Sequence, residues 1–74
     1  MNKAYLPTDT PGKMWHVSEE CGEVLKNLGK AGRFGLDNYD PTVPKEKRET
    51  NREAILRELE DLVLAAGRLK EALI

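Results

Sequence analysis

Two segments of this chain repeat apolar residues at steps of three and four, and the stretch between them shows no periodicity. The first repeat consists of Met14, Val17, Cys21, Val24 and Leu28. The second consists of Ile55, Leu59, Leu62, Val63, Ala66, Leu69 and Leu73. This spacing is typical of one buried face of an α-helix. The pattern therefore predicts two long helices separated by a connection.

The composition supports an all-α fold. The chain has 74 residues, which is enough for one domain, here residues 1–74. Aromatic residues make up only 5% of it and charged residues 34%, and Leu, Glu, Lys and Ala are abundant. These are strong helix formers, whereas the β-branched and aromatic residues that favour strands are scarce.

The first helix is expected over residues 11–30, after an extended arm at residues 1–10. Thr10 can cap a helix, and Pro11 suits its first position. Three closely spaced glycines then predict the end of the helix: Gly29, Gly32 and Gly35.

A long connection, residues 31–49, precedes the second helix. It contains two prolines, two glycines and four acidic residues, and connections of this length are usually functional or disordered. The second helix is expected over residues 50–73. Thr50 and Glu53 form a capping-box pattern at its start.

Two long antiparallel helices form a hairpin that cannot enclose a core by itself. We therefore expect two hairpins to assemble into a four-helix bundle, as a homodimer or homotetramer. The single cysteine, Cys21, excludes an intramolecular disulfide and is expected to be a small buried hydrophobe. Close helix packing would explain Gly22 and Gly67 inside the helices.

Several classes of function are disfavoured. The net charge of -1 argues against specific nucleic-acid binding, which needs an excess of Lys and Arg. No apolar run approaches the ~18 residues that span a membrane. The N-terminal MNKAYLPTDTPG lacks the apolar core of a signal peptide, and one cysteine suits a reducing compartment. We expect a cytoplasmic protein.

Acidic residues recur at matched spacing on the two predicted helices. Glu20 and Glu23 share one helix face, and Glu58 and Asp61 share another. In an antiparallel hairpin the two pairs come level, and four converging carboxylates repel unless a cation neutralises them. Oxygen ligands favour Mg²⁺, Mn²⁺ or Ca²⁺ over zinc. The alternative is an ordinary solvated helix surface, with Glu23 paired to Lys26.

These residues also carry a family resemblance. The run Glu19-Glu20-Cys21-Gly22-Glu23, followed by Glu58-Leu59-Glu60-Asp61, resembles the EExxE…ExxD signature of the MazG-like all-α nucleotide pyrophosphohydrolases. The surrounding EECGEVLKNLGKAGRFG and TNREAILRELEDLVLAAGRL resemble the short members that bacteriophages often encode. The similarity covers roughly residues 14–69.

The resemblance implies Mg²⁺-dependent hydrolysis of a nucleoside triphosphate to the monophosphate and pyrophosphate, with Mn²⁺ as a substitute ion. It implies that the metal ligands are Glu20, Glu23, Glu58 and Asp61. Glu19 would support the metal ligands without touching the ion, or would help to orient the attacking water, so Glu19 and Glu20 are the catalytic candidates. The family's further helices are missing here, so a partner subunit is expected to supply them. The competing hypothesis is a non-catalytic helical dimerisation or regulatory module, a degenerate relative.

Four residues are candidates for binding the substrate. Arg33 can bind phosphate bidentately and belongs to the RFG segment, and Lys30 is near enough to reach a triphosphate. A solvated cation at a helix end is the better explanation of Lys30, whereas for Arg33 the two explanations are equally good. His16 lies one turn before Glu20, where it could contact substrate or simply be half-buried. Tyr39 in the connection could stack on a base.

Overall fold

Two long antiparallel helices dominate the computed structural model, which describes residues 6–74. Helix α1 spans Thr10–Phe34 and helix α2 spans Asn51–Leu73, with a single 3-10 turn at Lys45–Lys47 between them. The two helices pack against each other, and residues 6–74 contain no strand. The predicted all-α helical hairpin is confirmed. Half of the predicted arm, residues 1–5, lies outside the described residues.

Helix α1 starts and ends differently from the prediction. Its cap is Asp9, not Thr10: the Asp9 Oδ1 accepts a hydrogen bond from the Gly12 amide at 3.0 Å. Asp9 has extended backbone angles, whereas Thr10 is already helical. The predicted end at Lys30 is four residues too early. Packing against α2 carries the helix past the two inner glycines to Gly35, where φ is 92°.

The connection is ordered against the start of α2. Its carbonyl oxygens accept hydrogen bonds from the first α2 amides: Leu36 O from Arg52 N and Asn38 O from Asn51 N, both at 2.8 Å. The Asn51 side chain donates to Gly35 O at 2.8 Å. The predicted Thr50 cap is confirmed, since Thr50 Oγ1 accepts from the Glu53 amide at 3.1 Å. The free amides at the start of α2 are thus satisfied within the chain.

The contact line between α1 and α2, here called the seam, is mostly polar. The buried hydrophobic residues of the described chain are Val24, Ala54 and Ala65. The buried polar residues are His16, Asn27, Asn51 and Glu58. No large side chain among residues 6–74 is fully buried. The hairpin therefore has almost no hydrophobic core of its own.

Most of the predicted apolar face of α1 lies outside the seam. Met14 is 54% exposed and Leu28 is 49% exposed, and Cys21 is exposed instead of buried. At ~100° per residue, all three positions are rotated by more than a quarter turn from His16, which faces α2, whereas Leu28 is only about 40° from the buried Val24. The periodicity correctly marked an apolar face, but α2 does not cover it.

The apolar residues of both helices emerge on the same side of the hairpin. Val17 of α1 lines one shallow groove together with Ala66, Leu69 and Leu73 of α2. We call this surface the apolar side, and its exposed members include Met14, Cys21, Leu25, Leu28, Leu59, Val63, Ala66 and Leu73. None of the described helices is long and apolar enough to cross a membrane.

The glycines inside the helices give a test of the local structure. A Cβ added at Gly67 or Gly22 would meet no atom within 4 Å, so close packing within the hairpin does not explain them. We predict that Gly67→Ala raises the free energy of unfolding by about 1 kcal/mol, through helix propensity. Urea unfolding followed by helical circular dichroism measures it.

Gly12→Ala is the contrasting variant. Its Cβ would lie 2.8 Å from the Pro7 Cβ and would also collide with the Asp9 Oδ1 that caps α1. The free energy of unfolding of this variant should fall by about 1 kcal/mol, because the Asp9 cap is disrupted. A loss of stability in Gly67→Ala would contradict the open environment described for that position.

Candidate metal centre

Three carboxylates converge at the middle of the seam. Glu20 of α1 and Glu58 and Asp61 of α2 each offer an oxygen atom, and these atoms lie within 4.8 Å of one another. The i, i+3 spacing in α2 places Glu58 and Asp61 on one face, and the antiparallel packing brings Glu20 level with them. Three of the four predicted metal ligands therefore meet. We call this group the carboxylate cluster.

The cluster is shielded from water. Glu58 is 6% exposed, and the Glu20 side chain is 12% exposed. Glu20 Oε2 is buried and has no hydrogen-bond partner. Burial raises the pKa of the Glu20 carboxyl, and the charges of Asp61 and Glu58 raise it further. An unpartnered carboxylate oxygen among like charges is costly unless a cation binds there.

His16 lies beside the cluster. Its Nε2 is 3.6 Å from Glu20 Oε1, one helical turn away, and only 7% of the residue is exposed. The second ring nitrogen, Nδ1, is buried without a partner. The structure thus puts His16 against the Glu20 carboxylate, where it can orient that group from behind.

Arg57 contacts Glu58 at the other end of the cluster, and no sequence pattern predicted this contact. Its Nη1 lies 2.6 Å from Glu58 Oε1, and its Nη2 lies 2.6 Å from Glu49 Oε1. Neighbouring residues on a helix do not normally face each other, so sequence spacing does not predict an Arg57–Glu58 pair. The bridge forms because the connection brings Glu49 within reach of the guanidinium.

A cavity of about 160 Å³ opens next to the cluster, between the two helices and the connection. Glu58 belongs both to the cluster and to the cavity wall. Most of the wall is charged, and its cationic members are Lys26, Lys30, Lys47, Arg48 and Arg57. Its acidic members are Glu23, Asp40, Glu49 and Glu58.

The two predicted catalytic and metal-binding residues outside the cluster are both exposed. Glu23 lies on the cavity wall, and its charge contributes to the raised pKa of Glu20. Glu19 is exposed and belongs neither to the cluster nor to the cavity wall. The predicted ligand Glu23 therefore lies near Glu20 but outside the cluster, and Glu19 faces solvent.

The predicted substrate-binding cations occupy different surroundings. Lys30 lies on the cavity wall, where its Nζ is 3.1 Å from Asp40 Oδ2. Hydrogen bonds from Thr42, together with Lys30, lower the pKa of Asp40 to about 2. Arg33 is exposed, is not part of the cavity wall, and stacks over the Phe34 ring at 5.4 Å.

Tyr39 is 45% exposed and lies away from the cluster. The Arg48 guanidinium stacks over its ring, 4.4 Å from the centroid. Tyr39 lines a shallow depression with Phe34, Asn38 and Pro41. The cation–π contact occupies one face of the ring, and the depression leaves the residue accessible.

The chemistry of the cluster fits a hard divalent cation. All three groups are carboxylates, and no His or Cys of the described chain belongs to the cluster. Two oxygens on opposite sides of Mg²⁺, each about 2.1 Å from it, are about 4.2 Å apart. The 4.8 Å span is close to that value, so small side-chain adjustments would allow one ion to contact all three groups.

Comparison with known proteins adds no assignment to this geometry: no protein-family model, curated protein or solved structure matches the chain. The MazG-like resemblance therefore rests on the two acidic motifs and the sequence around them.

Glu20→Gln should have opposite effects with and without metal. Removing one buried charge relieves the repulsion among the three carboxylates. In metal-free protein, with a chelator present, the melting temperature should therefore rise by a few degrees, since each kcal/mol added to the free energy of unfolding raises it by about 4–8 °C. Mg²⁺ at a hundred times its Kd should stabilise the wild type by about 2.7 kcal/mol and raise its melting temperature accordingly. Glu20→Gln should lose most of this Mg²⁺-dependent increase in melting temperature. Differential scanning fluorimetry measures both.

The matched control is Glu60→Gln, which neutralises an exposed carboxylate adjacent to Asp61 in the chain. It should leave both the metal-free melting temperature and the response to Mg²⁺ unchanged. Equal behaviour of the two variants would mean that Mg²⁺ acts on surface charge and not at the cluster.

Proposed function

We propose that this chain is a Mg²⁺-dependent nucleoside triphosphate pyrophosphohydrolase, which converts an NTP or dNTP to the monophosphate and pyrophosphate. The observation that carries the proposal is the meeting of Glu20, Glu58 and Asp61 from two helices, with a buried Glu20 oxygen that lacks a partner. The resemblance of the same residues to the MazG-like motifs supports the choice of reaction. Five cationic side chains on the wall of the adjoining cavity, against four acidic ones, could contact the phosphates of such a substrate.

The residues of the chain have distinct roles in this proposal. Glu20, Glu58 and Asp61 hold the metal, and Glu23 joins them from the cavity wall. Bound Mg²⁺, or Mn²⁺, would screen phosphate charge and lower the pKa of a coordinated water. Water attacks the α-phosphorus. The bond between the α-phosphorus and the oxygen that bridges it to the β-phosphorus breaks, and pyrophosphate leaves. Glu19 is proposed to orient the water, together with Glu20.

The remaining substrate contacts are assigned by their surroundings. Lys30 belongs to the cavity wall and would contact phosphate there, in exchange for its pair with Asp40. Arg33 and Tyr39 are exposed and would reach the nucleotide from the rim. His16 would act by positioning Glu20. The proposal includes a cytoplasmic location, in keeping with the single cysteine and the likeness to short phage-encoded enzymes.

The enzyme hypothesis predicts that purified protein with Mg²⁺ releases pyrophosphate from at least one member of an NTP and dNTP panel. Asp61→Asn removes one metal-binding charge and should lower release by about a hundredfold or more. Its helical circular dichroism should match the wild type. Glu60→Gln, the neighbouring exposed carboxylate, should retain full release.

If no nucleotide in the panel is cleaved and Mg²⁺ leaves the melting temperature unchanged, the enzyme hypothesis is wrong. The non-catalytic dimerisation module would then be the better interpretation of the hairpin, because it does not require a metal.

We further propose that the functional unit is at least a homodimer joined through the apolar side. A chain of this size gains only a marginal core even when well packed, and only three hydrophobic residues among residues 6–74 are buried. From Met14 to Leu28 the apolar side of α1 carries apolar and small residues without a charge. Two hairpins meeting by this surface would enclose one apolar core between four helices. A second copy matches this surface, which is uncharged on α1 and carries Lys70 in the α2 part of the groove, better than a strongly charged partner does.

Val63→Glu tests the assembly, because Val63 is 72% exposed on the apolar side. We predict that sedimentation finds a dimer or larger species for the wild type and a monomer or unfolded chain for this variant. Leu64→Glu is the matched control, since Leu64 lies about a quarter turn further round α2, away from the apolar side. A folded wild-type monomer of about 8 kDa would refute the assembly.

A further inference from the structure

Arg57 connects the carboxylate cluster to the cavity. Its guanidinium bridges Glu58 and Glu49, each at 2.6 Å, and lines the cavity wall. Its side chain is 51% exposed, so the bridge is open to solvent on the cavity side. Arginine is well suited to this position because its planar fork binds carboxylates and phosphates equally well.

A divalent cation on Glu58 would compete directly with Arg57. Glu58 is a ligand in the proposed metal centre, and Arg57 Nη1 lies 2.6 Å from its Oε1. An ion bound there attracts Glu58 with twice the charge of Arg57 and repels the guanidinium. Occupation of the metal centre therefore favours release of Arg57 from Glu58 towards the adjoining cavity.

The other cavity cations divide into paired and unpaired groups. Lys30 is held by Asp40 at 3.1 Å, and Arg48 donates to the Val43 carbonyl at 2.9 Å. Lys26 and Lys47 form no ion pair with any carboxylate of the described chain. With Glu58 engaged by metal, five cationic and three acidic side chains remain on the wall, so its net positive charge rises from one to two.

We propose that this cavity binds the diphosphate end of the substrate and that Arg57 is its principal phosphate-binding residue. In the metal-free hairpin, Glu58 and Glu49 hold Arg57. Metal binding removes Glu58 as a partner, and a phosphate group then competes for Arg57 only with the exposed Glu49. This inference rests on the proposed function, since it takes the carboxylate cluster to be the metal centre. It makes anion binding in the cavity depend on prior occupation of that centre.

The test is calorimetric titration of the full chain, first with Mg²⁺ and then, at saturating Mg²⁺, with methylenediphosphonate. The P–C–P link of this diphosphate analogue cannot be hydrolysed, so binding is measured without turnover. Arg57→Ala should bind Mg²⁺ about threefold more tightly, because a competing cation is gone. The same variant should bind the diphosphonate about tenfold more weakly, because a charge-assisted contact is lost.

Two further variants sharpen the result. Arg52→Ala removes an arginine of the same helix whose partner, Asp37, is exposed and outside the cavity. It should change neither the Mg²⁺ affinity nor the diphosphonate affinity.

Lys26→Ala removes a cavity cation that does not touch Glu58. It should weaken diphosphonate binding and leave the Mg²⁺ affinity nearly unchanged. This variant tests the cavity even if Arg57→Ala fails to fold.

The opposite signs separate this role from a structural one. If Arg57→Ala weakens the binding of both Mg²⁺ and the diphosphonate, Arg57 only supports the fold, and the inference is overturned. It is also overturned if the wild type binds Mg²⁺ but not the diphosphonate, or if neither variant of the cavity changes diphosphonate affinity. Failure of the wild type to bind Mg²⁺ would instead refute the proposed metal centre itself.

Discussion

The burial of carboxylates against one another in the seam is the constraint on which the rest of this structure depends. Glu20 and Glu58 are shielded from water, and Glu20 Oε2 has no hydrogen-bond partner. Such an arrangement disfavours the isolated hairpin, because like charges in a poorly solvated place repel strongly. Arg57 relieves part of that repulsion at Glu58, and a divalent cation would relieve more. The stability of the hairpin thus depends on which cation, Arg57 or a metal ion, neutralises the cluster.

The polar seam also explains the distribution of apolar residues. Since His16, Asn27 and Glu58 occupy the contact between the helices, the large apolar side chains lie outside this contact, many of them on the apolar side. The proposed homodimer would satisfy both surfaces together. There the apolar side would form a shared core while the carboxylate cluster and cavity remain open to a substrate.

Local sequence signals predicted the helices well and their environment poorly. Apolar periodicity and the Thr50 cap identified both helices, and matched acidic spacing identified three carboxylates that do converge. The buried face was wrong because periodicity marks an apolar surface without identifying what covers it. Arg57 was missed because its bridge depends on where the connection places Glu49, a contact between residues eight positions apart that helix spacing does not determine.

The most direct test of the metal centre is residue-resolved NMR during titration with substoichiometric Mn²⁺, whose unpaired electrons broaden nearby resonances. The proposed centre predicts selective loss of the signals around Glu20, Glu58 and Asp61, reversed by excess Mg²⁺. Weak broadening spread over exposed acidic residues such as Glu46, Glu60 and Glu71 would contradict it. In that case the buried carboxylates would be a structural feature of the hairpin and not a metal-binding site.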